Sequence, residues 1–446
     1  MKPSVVMKFG GTSVGTAGAI ERARSHVLAE KRPAVVIVSA LAGVTDLIEN
    51  ALALAAGGGR WRPLFTEIVE RHGAAIDGLG IERPDDLPEL EKDLRDLLRG
   101  VELVREASPR VRDLALSFGE RASARIFAAA LRAVGARAEA FDSWRLGLAT
   151  DGLHGRAAPT EDSAGRIRRE VEKLPDGVIP VVTGFIARSA EGEITTLGRG
   201  GSDYSASLFG AALGVEEIQI WTDVPGFLRA DPRIVENPEL LSEMTFPEAA
   251  ELAYFGAKVV HPRTIEPAER AGIDVRVLGT FQVAPGRAKE SGTRITKRAR
   301  PEPVRAIALR RQVRALHVHS LGMLDAAGFL ARLFGVLADH GVSVDVVATS
   351  EVSVSMTFDH AEAGLDRAIE EISAFATVEP RQERCLLCLV GEGLGSEPSV
   401  PGRIFAALGS AGISAEVLSQ GASRINITMV LPEHDGPRAM CALYEA

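Results

Sequence analysis

Cysteine is scarce in this chain, with three residues in 446, so a scaffold held together by disulfides is excluded. Cys385 and Cys388 lie three apart in an apparent strand, where they point to opposite faces and cannot share a metal. We therefore expect both to pack as ordinary buried side chains. No apolar run has the length that crosses a membrane, and the N-terminal apolar stretch is too short for a signal peptide. These features predict a cytoplasmic protein without a membrane partner.

Positive charge is also in short supply, because 51 Lys and Arg stand against 60 Asp and Glu and give a net charge of -9. No basic tract carries interleaved aromatic residues, which make up only 5% of the chain. Both observations argue against a nucleic-acid partner. An anionic substrate must therefore be met by local cationic groups rather than by the overall field of the protein.

The length of 446 residues exceeds what one core supports and predicts two or three domains. The first two-thirds of the chain alternate strand and helix patterns. Strands are expected at 5–9, 33–39, 178–182 and 218–221, a helix at 17–30, and an amphipathic helix from Leu87 to Val104. This alternation predicts a mostly parallel sheet between helices, with binding loops at the carboxyl ends of the strands.

The most informative stretch is the run Thr195–Asp203, which reads TTLGRGGSD. Its glycines let backbone N–H groups approach an anion closely, and Arg199 offers a planar fork that suits a carboxylate or a phosphate. Ser202 and Asp203 are typical of the first turn of a helix. The run predicts a strand, an anion-binding turn and a helix N-terminus, an arrangement suited to phosphoryl transfer onto an acid.

Four other motifs combine with this run. The turn Lys8–Ser13 follows the first strand and offers amides, hydroxyls and an ammonium to a phosphate, although its lysine precedes the glycines, unlike a Walker A loop. Trp221–Gly226 ends another strand, and Phe255–Lys258 brings a second lysine next to a glycine. Ser117–Arg121 is expected to start a helix and to present Glu120 to a substrate ammonium. A carboxylate acceptor is already ionised near neutral pH and needs no general base.

An internal repeat follows the charged linker Lys297–Pro303. Positions 333–346 match positions 404–417 at a constant offset of 71 residues, as in Gly341 with Gly412, which chance rarely produces. Each copy predicts a ferredoxin-like βαββαβ unit. Paired small units of this kind, appended to an enzyme, suit a ligand sensor.

Together these motifs resemble those of the aspartate kinases in the amino-acid kinase family, in the family's order and spacing. The resemblance covers nearly the whole chain, and the C-terminal repeat is similar to the family's tandem ACT domains. It implies an α/β amino-acid-kinase fold over 1–296, a first ACT unit over 304–384 and a second over 385–446, with boundaries that can interleave. Leu321–Leu324 and Ser343–Asp345 are similar to the lysine-sensitive type, and the lack of a further dehydrogenase domain implies a monofunctional form.

The implied reaction is the ATP-dependent phosphorylation of L-aspartate to 4-phospho-L-aspartate, the first step of the aspartate-family amino-acid pathway. Mg²⁺ is implied on the nucleotide phosphates, with no metal site of the protein's own. The resemblance also implies feedback inhibition by L-lysine, bound in the first ACT unit at a dimer interface. In the second unit Gly421 stands where the first has Ser350, which suits a role in dimerisation. We expect a homodimer through the ACT units, with a tetramer left open.

The resemblance also assigns residues to roles. Lys8 would neutralise charge on the transferring phosphoryl group, and Asp203 would orient the lysines there. The residues implied for L-aspartate are Ser39, Thr45, Glu120, Arg199 and Ser202. Those implied for ATP are Lys8, Gly10, Gly11, Thr222, Asp223, Leu228, Arg233 and Lys258. Those implied for the effector are Met323, Leu330, Val344, Asp345, Ser350 and Glu351.

Two positions depart from the family pattern. Leu228 stands where a tyrosine is common near the nucleotide, and Ala326 replaces a serine of the lysine-sensitive sensor. Other interpretations stay open: an acceptor such as glutamate, N-acetylglutamate or carbamate, a non-catalytic amino-acid sensor, and threonine as the effector. Glu120 together with Arg199 favours an acceptor that carries both a free ammonium and a carboxylate.

Overall fold

The computed structural model describes residues 2–256, 259–323, 327–421 and 423–446. Lys258 and Ala326, both singled out by the sequence, lie outside these ranges. The chain forms two units. The first holds the described residues up to Phe227 together with Leu240–Phe246 and Val259–Ala299. The second holds Leu228–Glu239, the described residues from Pro247 to Gly256, and those from Arg300 onward.

The helices and strands are numbered in chain order. The helices are α1 Ala17–Ala29, α2 Val44–Gly57, α3 Arg62–Leu79, α4 Leu87–Val104, α5 Pro109–Arg132, α6 Ser163–Glu172, α7 Gly201–Leu213, α8 Phe246–Phe255, α9 Pro262–Ala271, α10 Phe329–Asp339, α11 Leu365–Ile372, α12 Ser399–Ser410 and α13 Gly436–Glu445. The strands are β1 Val5–Phe9, β2 Ala34–Val38, β3 Ala138–Phe141, β4 Ala149–Thr150, β5 Ile179–Thr183, β6 Ile186–Ser189, β7 Ile194–Thr196, β8 Glu217–Thr222, β9 Glu243–Thr245, β10 Asp274–Gly279, β11 Thr293–Thr296, β12 Ala306–His319, β13 Val347–Thr349, β14 Ser353–Asp359, β15 Thr377–Val390, β16 Val417–Ser419 and β17 Asn426–Pro432.

The first unit is built on an eight-stranded sheet in the order β3-β5-β2-β1-β8-β10-β11-β9. Every neighbouring pair is parallel except β10 with β11. β1 and β2 are buried over their full length, which is typical of a parallel strand covered on both faces. The carboxyl ends of β1, β2, β5 and β8 therefore meet at one edge. The predicted fold class is confirmed, whereas the small sheet β4-β6-β7 was not expected.

Helix α5 is the longest in the first unit and crosses its core. It begins at Pro109, after Ser108, whose hydroxyl accepts a hydrogen bond from Val111 N at 3.3 Å. The expectation that a helix starts at Ser117 was wrong, because the polar N-cap and the proline at the first helical position lie two turns earlier. Glu120 is consequently carried in the middle of a buried helix rather than at its exposed start.

The second unit contains an antiparallel six-stranded sheet in the order β13-β14-β12-β15-β17-β16. β12 and β15 are 14 residues long. They pair from Ala306 with Val390 to His319 with Thr377, with register shifts between Arg310 and Ala315. Both repeats therefore share the same two central strands. β15 runs without interruption across 384/385, and the domain boundaries stay a prediction.

The two cysteines of β15 pack as the sequence predicts. Cys385 and Cys388 are both free and fully buried. Burial raises the pKa of each thiol to about 12, so neither is a reactive thiolate at neutral pH. Over the described ranges, every helix is too short or too polar to span a membrane.

Replacing Phe127 by alanine tests the core of the first unit. Phe127 is fully buried on α5 and stacks on Phe9 with ring centroids 5.7 Å apart. We expect Phe127→Ala to lower the free energy of unfolding by about 3–5 kcal/mol, measured by denaturant titration. Phe281→Ala is the control, because Phe281 is 49% exposed and its loss should change stability by less than about 0.5 kcal/mol. Equal effects of the two substitutions would contradict this description of the core.

Candidate active site

A cavity of about 490 Å³ lies in the first unit, at the carboxyl ends of β1 and β2. Loops from these strands, two helix N-termini and the middle of α5 form its walls. It brings together eight of the residues that the sequence assigned to catalysis or binding: Lys8, Gly11, Ser39, Thr45, Glu120, Arg199, Ser202 and Asp203. Residues separated by almost 200 positions in the sequence therefore line one space.

Lys8 and Asp203 form the central ion pair of this cavity. The Lys8 ammonium lies 2.6 Å from Asp203 Oδ1, and both side chains are largely buried. Lys8 is the fourth residue of β1, and Asp203 lies in the first turn of α7. Gly10 is the first residue after β1, and a Cβ at this position would lie 3.5 Å from the Lys8 ammonium. The ammonium is thus held at a fixed point where an anion can approach it.

Glu120 contributes a buried carboxylate that is only half satisfied. One oxygen accepts a hydrogen bond from Ala40 N at 3.2 Å, and Oε2 has no partner among the described residues. Burial raises the pKa of Glu120 to about 8, and the bond from Ala40 offsets only part of this effect. Gly119 allows the close approach, because a Cβ there would lie 2.8 Å from the Ala40 Cβ. A ligand ammonium is the group that would satisfy this oxygen.

Arg199 lies on the loop between β7 and α7. Its neighbours Gly198 and Gly200 have φ values of +79° and +70°, which glycine adopts without strain. Two other cations line the cavity: Lys8 pairs with Asp203, and Arg112 pairs with Glu49. Arg199 is exposed and has no ion-pair partner in the described part of the chain, so its fork remains available for a carboxylate or a phosphate.

Two residues of this region escaped the sequence analysis. Phe185 lines the cavity with a φ of +66°, a strained conformation for a bulky residue and one found at functional sites. The only signal was its position after a buried strand and a glycine. Asp113 is fully buried beside the cavity wall. Its signal was a spacing of seven residues from Glu120, which places both on one face of a helix.

The residues implied for the nucleotide are only partly brought together. Thr222 ends β8 and Asp223 follows it. β8 lies next to β1 in the sheet, and Gly10 N donates to Trp221 O at 3.0 Å. Leu228 and Arg233 belong to the second unit, where Arg233 is exposed and its guanidinium pairs with Asp231 at 2.6 Å. Lys258 lies outside the described residues.

The residues implied for the effector lie in the second unit. Asp345 Oδ1 accepts a hydrogen bond from the Tyr254 hydroxyl at 2.7 Å, and Oδ2 lies 3.1 Å from Arg310 Nη1. Burial, together with this bond to Asp345, raises the pKa of Tyr254 to about 12, so the phenol stays a neutral donor. Ser350 forms a hydrogen bond with Ser353 at 2.7 Å, and Glu351 is exposed. Met323 and Val344 pack on the buried core, and Leu330 is 39% exposed.

The donor set fits a magnesium ion carried by the nucleotide. No group of three or more His, Cys, Asp or Glu is placed to hold a metal within the described ranges. Mg²⁺ in kinases is held by substrate phosphates together with one or two carboxylates. Asp203 is the buried carboxylate of the cavity that lies next to the phosphate-binding turn.

Comparison with known proteins follows the same division of the chain. The amino acid kinase family matches residues 3–279, and the ACT domain matches residues 316–373 and 387–446. The lysine-sensitive aspartokinase 3 of Escherichia coli (strain K12) is 35% identical over 462 residues, which cover 100% of this chain and 99% of the relative.

Solved structures of the E. coli enzyme also superpose on this chain. Aspartokinase III in complex with aspartate and ADP (R-state) matches with a TM-score of 0.80 and 34% identity over 99% of both chains. Aspartokinase III in complex with lysine and aspartate (T-state) matches with a TM-score of 0.81 and 34% identity, over 99% of this chain and 98% of the other.

Glu120→Gln tests the charge state of the cavity. Because the pKa of Glu120 is raised to about 8, the stability that its neutral form confers is complete below pH 4.5 and is lost as the pH rises to 8. We expect the melting temperature of the wild type to fall relative to that of Glu120→Gln between pH 5 and pH 9, in the absence of ligands. The exposed Glu139 supplies the control Glu139→Gln, and parallel profiles for all three proteins would contradict the shift.

Proposed function

This chain belongs to the aspartokinases of the amino acid kinase family, and we propose that it transfers the γ-phosphoryl group of ATP to the side-chain carboxylate of L-aspartate. The product is then 4-phospho-L-aspartate, which enters the aspartate-family amino-acid pathway. We further propose that L-lysine inhibits the enzyme through the first ACT unit. The name of the E. coli relative and the ligands named in its structures support both steps.

One observation carries the substrate proposal: the cavity offers a free carboxylate oxygen and a free guanidinium together. Glu120 Oε2 has no partner among the described residues and is matched by a substrate ammonium. Arg199 is matched by the α-carboxylate, which it grips with two parallel hydrogen bonds. An acceptor without a free ammonium, such as N-acetylglutamate or carbamate, leaves Glu120 Oε2 without a partner, and a buried polar atom without a partner weakens binding.

The chemistry that this cavity performs is positioning and charge neutralisation. The acceptor carboxylate is a nucleophile without deprotonation, and no histidine lines the described part of the cavity. Two anions repel each other as they approach, and Lys8 offsets this repulsion from a point fixed by Asp203. The amide of Gly11 donates to a phosphate oxygen, whereas the amide of Gly10 is already bonded to Trp221 O at 3.0 Å. Mg²⁺, when bound with the nucleotide, neutralises further charge on the phosphates, with Asp203 as the nearby carboxylate.

A turnover assay tests the proposed function. ADP release from MgATP is measured with L-aspartate, L-glutamate, N-acetylglutamate or no acceptor, and we expect turnover with L-aspartate alone. Lys8→Ala should lower kcat by about a hundredfold or more, since it removes a fixed charge at the reacting group. Lys92→Ala, on the exposed face of α4, is the control and should leave kcat unchanged. Equal turnover with and without aspartate in the wild type would sink the assignment.

Asp345 and Ser350 flank the edge strand β13, and the pairing with β14 extends back to Asp345, whose N–H donates to Thr357 O at 2.9 Å. Five residues of extended chain span about 16 Å. The residues implied for the effector are therefore spread along one edge of the sheet. We propose that two copies of the chain complete each lysine site, in keeping with the predicted homodimer through the ACT units.

Lysine also has to compete for Asp345. The carboxylate already binds Arg310 and the Tyr254 hydroxyl within the second unit. An effector ammonium at Asp345 therefore weakens the contact with Tyr254, the penultimate residue of α8. Tyr254 lies four residues before Lys258 in the sequence, and Lys258 is one of the residues proposed for ATP.

Mixed dimers test the shared lysine site. We expect Asp345→Asn and Glu351→Gln each to abolish inhibition by millimolar lysine, because each removes one carboxylate from both sites of a dimer. Random pairing of the two variants gives about half heterodimers, each with one wild-type site, so partial inhibition should return on mixing after refolding or co-expression. Glu370→Gln, exposed on α11, is the control.

Inhibition that does not return on mixing would contradict a site shared between chains. Unchanged inhibition in Asp345→Asn alone would remove Asp345 from the effector site. Inhibition of the wild type by threonine and not by lysine would change the identity of the effector.

A further inference from the structure

We infer that Asp113 is a positioning residue for the aspartate-binding wall of the cavity, an inference that rests on the function proposed above. Asp113 lies on α5 and is fully buried, and its carboxylate faces the loop 151–158 and the strand β7 rather than the cavity. Neither the sequence motifs nor the resemblance gave it a role. We call Asp113 and the three residues that donate to it, His154, Gly155 and Thr196, the aspartate clasp.

Asp113 is saturated with donors. Oδ2 accepts from Gly155 N at 2.9 Å, Thr196 N at 3.1 Å and His154 Nδ1 at 3.0 Å. Oδ1 accepts from the Thr196 hydroxyl at 2.7 Å. A carboxylate offers about four lone-pair sites, and Asp113 meets four donors within the protein, three of them at Oδ2. Asp113 is also fully buried and does not line the cavity, which argues against a direct role in ligand binding.

The clasp ends at the residues that form the cavity wall. Gly155 and Thr196 both line the cavity, together with Gly198 and Arg199. Gly198 packs so close to the neighbouring loop that a Cβ on it would lie 3.1 Å from Gly155 O. Asp113 therefore holds two segments of the wall against each other through three backbone or hydroxyl donors.

Arg199 lies on a short loop whose N-terminal side is anchored by the clasp. It follows Thr196 by three residues, and Leu197 N donates to Phe185 O at 2.8 Å. Within the loop, Gly201 N donates to Gly198 O at 2.9 Å, but Gly198 and Gly200 have positive φ, so local backbone preference restrains the loop only weakly. Arg199 has no ion-pair partner in the described residues. We therefore expect the position of its guanidinium to depend on the anchor at Thr196 and Leu197, to which Asp113 contributes through Thr196.

His154 extends the clasp toward the surface. Its Nε2 lies 3.2 Å from Glu193 Oε2, while Nδ1 faces Asp113. Arg110, one turn before Asp113 on α5, reaches the other oxygen of Glu193 at 3.0 Å. Glu193, immediately before β7, therefore forms contacts that connect it to α5, the helix that carries both Asp113 and Glu120. These bonds connect the cavity wall that carries Arg199 to the helix that carries Glu120. One amino acid bound between them would contact both residues.

Steady-state kinetics of Asp113→Asn tests this inference. The amide keeps the shape of the side chain but turns an NH₂ group toward N–H donors. We expect the KM for L-aspartate to rise about tenfold or more, because hydrogen bonds to a charged group are lost, while the KM for MgATP changes less than about twofold. Asp142→Asn is the matched control. Asp142 is also buried and pairs with Arg121 and Arg125, but these partners, unlike Gly155 and Thr196, do not line the cavity.

A second pair of variants decides the matter if Asp113→Asn fails to fold. Thr196→Val removes the hydroxyl donor at nearly constant shape, and Thr196→Ser keeps it. The inference expects a raised aspartate KM in the valine variant and rescue to within about twofold of the wild type in the serine variant. Equal KM values for aspartate in all variants, or parallel losses in Asp113→Asn and Asp142→Asn, would overturn the positioning role. A wild type without aspartate-dependent turnover would overturn the proposed function, and this inference with it.

Discussion

The cavity of the first unit depends on two buried carboxylates carried by a single helix. Asp113 and Glu120 lie two turns apart on α5, on the same face, and both are removed from water. A buried carboxylate must find donors. Asp113 finds four within the protein, whereas Glu120 finds one and keeps an oxygen free. The four donors of Asp113 make its surroundings rigid. The free oxygen of Glu120 forms a binding site in which a ligand supplies the missing donor.

The charges of the cavity are arranged in the same way, with most of them paired inside the protein and one left for a ligand. A chain with a net charge of -9 has to attract two anionic substrates, and it does so with cations placed individually. Lys8 is held by Asp203 and Arg112 by Glu49, so the local pairs are nearly neutral. Arg199 stands outside these pairs on a loop fixed at its base. Under the proposed function, selectivity for an amino acid follows from the unpartnered carboxyl oxygen of Glu120 and the free guanidinium of Arg199, because a zwitterion supplies a group for each.

The strand ends and the glycine turns could be predicted from the sequence because local rules create them. The apolar run of β2 and the glycines around Arg199 fix strand and turn with little help from tertiary structure. The residues that escaped prediction depend on distant partners. Phe185 lies in the turn between β5 and β6, and its carbonyl accepts a hydrogen bond from the distant Leu197 N. Asp113 gains its role from donors more than forty positions away. The start of α5 was misplaced because the motif around Glu120 suggested a helix start and hid the proline signal upstream.

The two central strands of the second unit have a consequence for how such a sensor can be inherited. The segment Ala306–Arg310, which opens the first repeat, pairs with Leu386–Val390 of the second. Neither repeat is therefore complete in its own stretch of sequence, and a gene fragment that encodes one of them leaves a strand without its neighbour. The two repeats therefore depend on each other for their central strands, and we expect a sensor built in this way to be passed on intact only when both repeats are kept together.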